Sequence, residues 1–281
     1  MPRLFIFGLG YAARFIAARF EARGWEVIST GSEGTLSFDD EGSVRLALAD
    51  ADHVLSSVPP GREARGEALD PVLECYGHAI KGRALSYLSS TGVYGDTGGA
   101  WVDESAPVGT GRRTARAEAD AAWLALGARV YRLPGIYGPG RSIFDRLADG
   151  RAHRIDLPGQ VFSRVHVEDI ASGVLRGVNA PGGAYNLADD LPCSQNRVVE
   201  EACRLAGIAP PPLHGLEDAN LSPMARAFYA ENRRVASGKA RRELGWRPRY
   251  PTYVEGLRAL RATTSPAIAS SAPAPASSDQ R

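Results

Sequence analysis

The stretch Ser89-Ser90-Thr91-Gly92-Val93-Tyr94-Gly95 sets three hydroxyls and a phenol within six residues, directly after an apolar run. Side chains of this kind can donate to or accept from a reacting oxygen, so the segment reads as a candidate serine-bearing edge of a catalytic site. A second grouping, Gly8-Leu9-Gly10-Tyr11-Ala12-Ala13, stands between the first apolar run and the first helical pattern. Gly8 permits a tight turn, Gly10 lets backbone approach a pyrophosphate with no Cβ in the way, and Ala13 is small enough for close helix–sheet packing. The helix opening at Tyr11 offers unpaired N–H groups and the positive end of its dipole to phosphates. These residues are expected to hold a dinucleotide; a tight turn with no ligand is the plainer alternative. Sites that take NAD usually carry a carboxylate at the end of the second strand. Here Ile28-Ser29-Thr30-Gly31-Ser32 has none before Glu33. Thr30 and Ser32 could donate to a 2′-phosphate instead. The expectation is therefore NADP ahead of NAD, with no arginine at that place to seal it.

Such groups need strands that end beside one another. Strand and helix signals alternate through the first half, the pattern of a doubly wound parallel α/β sheet. Leu4–Phe7, Glu26–Ser29, Leu36–Phe38, His53–Val58, Leu85–Ser89 and Arg129–Leu133 read as strands, with a helix over Arg116–Leu126. Later, Ile170–Val178 and Arg197–Ala206 read as helices around a strand at Ala184–Leu187. Pro210-Pro211-Pro212 forces an extended break, Ser222-Pro223 suits a helix start, and Thr252 with Glu255 fits a capping box. The expected organisation is a Rossmann-type domain over 1–160 and a smaller substrate lobe over 161–262, interleaved with the sheet. From about Thr263 the chain becomes Ala/Ser/Pro-rich, which predicts a disordered tail over 263–281.

A chain of 281 residues with 44% hydrophobic and 23% charged content can bury a large core. A formal net charge of +1 gives no electrostatic case for nucleic acid or membrane. The apolar opening Leu4–Phe7 stops at Gly8, too short for a signal core or a span. Three scattered cysteines (Cys75, Cys193, Cys203) form no C-x-x-C, pointing to a reduced, cytoplasmic protein with no disulfide framework and no metal site.

Five stretches together resemble the extended short-chain dehydrogenase/reductase family, the NAD-dependent epimerase/dehydratase group. Ser89–Gly95 resembles its S-S-x-x-V-Y-G segment, and Arg132-Leu133-Pro134-Gly135-Ile136-Tyr137-Gly138-Pro139-Gly140 its R-L-x-x-x-Y-G-P-G. Val165–Asp169 resembles H-V-x-D with its lead-in, Tyr185-Asn186-Leu187 a Y-N-x strand, and Lys239 through Pro248 the K-A-x-x-x-L-G-W-x-P. The matches run in order from about residue 4 to 260. The resemblance implies a Rossmann-type fold with a C-terminal substrate lobe. It places Gly8, Gly10 and Ala13 at the pyrophosphate, Asp39 at the adenine, and Ser57, Val58 and Pro59 along the ribose. Ser89, Pro134 and Ile136 would border the cofactor, and Ser90 falls on the catalytic Ser/Thr position.

One departure is sharp. In the family a tyrosine phenol exchanges the substrate's proton, and a lysine four residues on lowers its pKa. This chain has only two lysines, Lys81 and Lys239, preceded four residues earlier by Gly77 and Val235. The expected stretch reads Thr110-Gly111-Arg112-Arg113-Thr114-Ala115-Arg116-Ala117-Glu118, so the chain resembles an atypical branch without the pair. Tyr94, four residues past Ser90, or Tyr137 on the neighbouring loop could stand in, with Arg112 or Arg113 as the cation; loop packing is the plainer reading of both phenols. Arg141 and Arg164 could clamp an anionic substrate, since guanidinium matches phosphate or carboxylate bidentately. His166 and Asp169 read as structural. The Arg116–Leu126 helix, with Ala117, Ala121 and Ala125, is the candidate homodimer face, or packs on the sheet. Two hypotheses follow: an NAD(P)-dependent oxidoreductase or epimerase/dehydratase-like enzyme acting on a small polar substrate such as a nucleotide sugar, or a silent NAD(P)-binding sensor or scaffold.

Overall fold

The first apolar run forms β1 (Arg3–Phe7), with Leu4 and Ile6 in one hydrophobic core and Phe5 and Phe7 in another. Successive strand side chains point to opposite faces, so one run of five residues feeds both sides of a sheet. The structure, a computed structural model, describes residues 1–61, 70–109, 114–219, 221, 226 and 228–264. After β1 come α1 (Tyr11–Glu21), β2 (Glu26–Ser29), α2 (Glu41–Ala49), β3 (His53–Ser56), α3 (Pro71–Ile80) and β4 (Ala84–Ser90). Then follow β5 (Trp101–Val102), α4 (Thr114–Ala125), β6 (Arg129–Leu133), β7 (Gly135–Tyr137), α5 (Ile143–Ala148), β8 (Arg154–Asp156) and β9 (Arg164–His166). The chain continues through α6 (Val167–Arg176), β10 (Gly183–Asn186), α7 (Gln195–Ala206), β11 (Leu213–Gly215), β12 (Arg234–Val235), α8 (Gly238–Glu243) and α9 (Tyr253–Thr264).

Six parallel strands make the central sheet in the order β10-β6-β4-β3-β1-β2. The chain steps outward from β1 to β2 and then returns to the other side of β1 to lay down β3. That reversal leaves a crevice beyond the carboxyl ends of β1 and β3, the place where such sheets bind ligands. Alternation persists across the sheet: Leu55, Leu88, Tyr131 and Tyr185 join Leu4 and Ile6, whereas Val54, Tyr87 and Val130 join Phe5 and Phe7. The first group packs against α1 and α6, the second against α2, α3 and α4.

The sequence boundaries carry local signals. Asp70 caps α3 by accepting from Val72 N and Leu73 N, with Pro71 in the first turn where its missing N–H costs nothing. The Thr252–Glu255 pair caps α9, with Glu255 accepting from Thr252 N at 3.0 Å. Leu36–Phe38 corrects an expectation. It is not a strand: only an isolated bridge joins Thr30 to Leu36. Leu36 and Phe38 instead pack against the core on the α2–α3 side, and Phe38 O accepts from the Tyr76 hydroxyl, so core packing replaces a ladder. α9 continues through Thr264, and 265–281 lie outside the described residues, as do Ser222-Pro223 and Arg112-Arg113. On α4, Ala117 is buried while Ala121 and Ala125 are exposed; Ala119, Asp120 and Trp123 turn inward. Among the described residues no helix is long and apolar enough to cross a membrane, and no cluster of His, Cys, Asp or Glu could hold a metal ion.

Candidate functional site

The loop after β1 is built for close approach. Gly8 sits at φ +80°, and a Cβ there would come within 2.9 Å of Val58 Cγ2. Its N–H donates to Thr30 Oγ1 at 3.2 Å, Leu9 N donates to Thr30 O at 2.8 Å, and the Ser57 hydroxyl donates to Gly8 O. Thr30 is thus buried as a clamp on the glycine turn rather than turned outward toward a 2′-phosphate, which corrects its expected role. Gly10 caps α1 in an extended conformation with no side-chain cap, and no acid stands in the first turn. A Cβ on Gly10 meets nothing within 4 Å. Open space therefore lies over a helix N-terminus whose first N–H groups have no intrahelical acceptor. Those features fit a pyrophosphate. Ala13 is buried in the core at the third position of the motif.

Around this turn the other expected cofactor residues share the carboxyl edge of the sheet. Ser57 is tied to Phe7 O through its backbone N–H at 2.9 Å, with Val58 half-buried and Pro59 exposed after it. Ser32 and Asp39 are exposed on the loop leading from β2 to α2. Beside Ser32 lies a residue that sequence reading missed: Arg14, whose Nη1 donates to Glu33 Oε2 at 2.6 Å. The signal was available, since Arg14 directly follows the motif's last small residue.

The serine segment divides into an inner and an outer part. Ser89 is buried and donates to Asp120 Oδ2 at 2.6 Å. Asp120 in turn receives Arg132 Nη2 at 2.7 Å and Nε at 3.1 Å. Arg132 Nη1 donates to Tyr94 O–H at 3.0 Å, and that hydroxyl donates to Asn186 Oδ1 at 2.8 Å. The hydroxyls of Ser89 and Tyr94, expected at the cofactor and in catalysis, are therefore engaged by buried protein groups of one network. Burial raises the Tyr94 pKa above its ordinary value. Tyr94→Phe should leave cofactor affinity unchanged and cost about 1–3 kcal/mol of stability, because two buried partners lose the hydroxyl; chemical denaturation measures the second and calorimetry the first. Ser90 is half-buried at the start of a 3-10 turn and accepts from Gly92 N at 3.1 Å, a bond that leaves its own proton to donate.

A cavity of about 380 Å³ opens beside β7. Tyr137, Arg141 and Arg164, the residues expected at the substrate, line it together with Ile136, expected at the cofactor, and with Arg146 and Arg151, which were not foreseen. Four arginines line it with one acid, Asp145, whose carboxylate is engaged by the Ser142 N–H and hydroxyl at the start of α5, and Arg151 is already paired with Asp149. Arg164 lies deepest, 7% exposed, and donates to Phe162 O, Cys193 O, Ser194 O and Gln195 Oε1, with no carboxylate among those partners. Arg141 stacks over the Tyr11 ring at 4.9 Å, and Tyr11 O–H donates to Pro139 O at 3.0 Å. That stack joins the glycine turn to the cavity rim. The Tyr137 hydroxyl is buried with no hydrogen-bond partner among the described residues. Behind it His166 caps α6, and burial pulls its pKa down to about 4. Asp169 accepts from Arg249 N and Tyr250 N and is pushed up to about 6 by burial, so each of the two side chains ties α6 into its surroundings.

No protein-family model matches the chain. Protein YeeZ of Escherichia coli strain K12 is 27% identical over 286 positions, covering 89% of this chain and 97% of its own. A solved structure of human epimerase family protein SDR39U1 with NADPH superposes with a TM-score of 0.76 at 16% identity, over 92% of this chain and 99% of its own. A functionally unknown conserved protein from Silicibacter pomeroyi superposes with a TM-score of 0.81 at 38% identity, over 94% of this chain and 100% of its own. The chain belongs to one family with that conserved Silicibacter protein, and it is built on the fold of the extended short-chain dehydrogenase/reductases.

Proposed function

We propose that this protein binds NADP in preference to NAD and catalyses hydride transfer to or from a small anionic substrate. The observation that carries the reading is the Tyr11–Arg141 stack, which seats an arginine-lined cavity against the open N-terminus of α1. A sensor with no turnover needs the second feature and has no use for the first. The missing tyrosine–lysine pair is what favours the silent reading. Loss of a general acid–base group lowers rates by about 10²–10⁴-fold, which weakens catalysis without abolishing it.

In this reading the first-turn N–H groups of α1 and the bare Gly10 hold the pyrophosphate, with Ser57, Val58 and Pro59 along one ribose and Asp39 toward the adenine. Arg14 and Ser32 take the 2′-phosphate, Arg14 exchanging its Glu33 partner for the ligand. NADPH in the human protein of the same fold supports that choice. Bound there, the nicotinamide supplies or accepts hydride. Pro134 and Ile136 border it, and the Ser90 hydroxyl donates a hydrogen bond to the reacting oxygen. Arg141, Arg146 and Arg164 hold the substrate's anionic group, three guanidinium charges beside one acid already in use.

Calorimetric titration with NADP⁺, NADPH, NAD⁺ and NADH tests the reading. Micromolar binding of the phosphorylated pair ahead of the other supports it, and binding of none overturns it. Pyrophosphate titrated into the NADPH-saturated protein reads the cavity separately. Arg146→Gln should weaken that binding about tenfold, the worth of one charge-assisted contact; equal affinity in both proteins would remove Arg146 from the anion site.

A further inference from the structure

The small cavity beside the serine loop is unused by that reading. Its volume is about 40 Å³, room for a few atoms, and it shares Gly135, Phe162, Ser163 and Phe228 with the larger cavity. Thr91 and Pro134 also line it, so it reaches the edge where Ser90 and the nicotinamide border are expected. Of its ten lining residues only Glu231 and Arg233 are charged.

These two are built into the wall. Arg233 donates through Nη1 and Nη2 to Glu231 Oε2, each at 2.9 Å, and the two side chains are 16% and 10% exposed. Arg233 Nη1 also donates to Gly95 O, on the loop that opens at Ser90. The intervening Asn232 fastens the turn to the same loop: its carbonyl accepts from Thr97 N at 3.1 Å and Gly99 N at 2.9 Å, and its N–H donates to Asp96 Oδ1 at 2.9 Å. Glu231 O accepts from Gln160 Nε2 at 2.9 Å. A largely desolvated ion pair contributes little net stability over an apolar pair of the same shape, so stability alone gives weak reason to line a cavity with one.

We propose that Glu231, held by Arg233, exchanges the substrate's proton in place of the absent tyrosine–lysine pair; the proposal rests on the hydride-transfer reading above. The guanidinium cannot give up its proton at neutral pH, which leaves the exchange to the carboxylate. In the oxidative direction the substrate's O–H proton passes to Glu231 while the carbinol C–H pair leaves as hydride to an oxidised nicotinamide dinucleotide. The O–H and C–H bonds break, the C=O bond forms, and substrate loses two electrons that the nicotinamide gains. Reduction runs the same steps backward. The substrate's body occupies the larger cavity, and its reacting carbon enters the small one.

The test needs no substrate. NADP⁺ and NADPH differ at the ring by one positive charge, so the ratio of their affinities reads the charge beside it. General damage to the fold cancels from that ratio. Both forms are titrated into the wild-type protein, Glu231→Gln and Arg233→Met. Glu231→Gln is expected to weaken NADP⁺ relative to NADPH by about tenfold, and Arg233→Met to shift the ratio the opposite way by a similar factor, since unit charges interact at that scale inside a protein. A ratio unchanged from wild type in both variants overturns the proposal and leaves the hydride-transfer reading standing. Wild-type protein that binds neither form overturns both.

Discussion

Gly10→Val should fold as well as the wild type and bind NADP(H) at least about a hundredfold more weakly. The two halves of that expectation come from one observation. A Cβ on Gly10 meets no atom within 4 Å, and the residue's φ of −80° is open to any side chain, so the folded protein accommodates valine without strain. The same open space lies over the first turn of α1, where a pyrophosphate must come within hydrogen-bonding distance of backbone N–H groups. A branched side chain fills it. Two phosphate-to-backbone contacts to a charged ligand, at about 1.5–3 kcal/mol each, amount to that hundredfold or more. Gly8 is the contrasting position: at φ +80°, with Val58 Cγ2 2.9 Å from a would-be Cβ, substitution there damages the fold itself. Thermal melting and calorimetry together separate the cases. A Gly10→Val protein that melts with the wild type and still binds NADPH with wild-type affinity would remove the turn from the cofactor site.

The sheet was legible because its physics is local. Each strand had to be apolar on both faces, and five of the six expected in the first half are strands of the sheet. Leu36–Phe38 has the same apolar character without the length or the neighbours to pair, and only packing distinguishes it. The glycine turn was legible because a single residue type answers each demand of the backbone. The polar groups were harder. Ser89 and Ser90 are adjacent and chemically identical, yet strand alternation sends one into the Asp120 network and leaves the other half-buried, accepting from Gly92 N. The hydroxyl of Tyr94 lies four residues from Ser90 and is claimed by Asn186, 92 residues away in sequence. The arginine cavity gathers side chains from the loop after β7, from α5, from Arg151 beyond it and from β9; nothing in their spacing announces that they converge. Glu231 and Arg233 face Thr91 only through the turn that Asn232 pins to the serine loop.

Arg132→Met should cost about 3–5 kcal/mol, the penalty for stranding a buried charge. Arg132 and Asp120 are 3% and 0% exposed, and the guanidinium spans Asp120 and Tyr94 together. Without it, the Asp120 carboxylate keeps only Ser89 as a side-chain hydrogen-bond partner among the described residues, and the Tyr94 hydroxyl keeps Asn186. Removing both charges in Arg132→Met with Asp120→Leu should recover much of the loss, because an apolar pair of similar volume often equals a buried ion pair. Denaturant midpoints of the two single variants and the double variant give the coupling directly, and additive losses would show that the pair contributes nothing as a pair. The consequence for function follows from position. Arg132 stands on β6 two residues before Pro134, and it holds Tyr94 directly and Ser89 through Asp120, at either end of the segment that carries Ser90. A rescued double variant that folds but binds cofactor more weakly would mean that the network fixes the geometry of that edge beyond stabilising the fold.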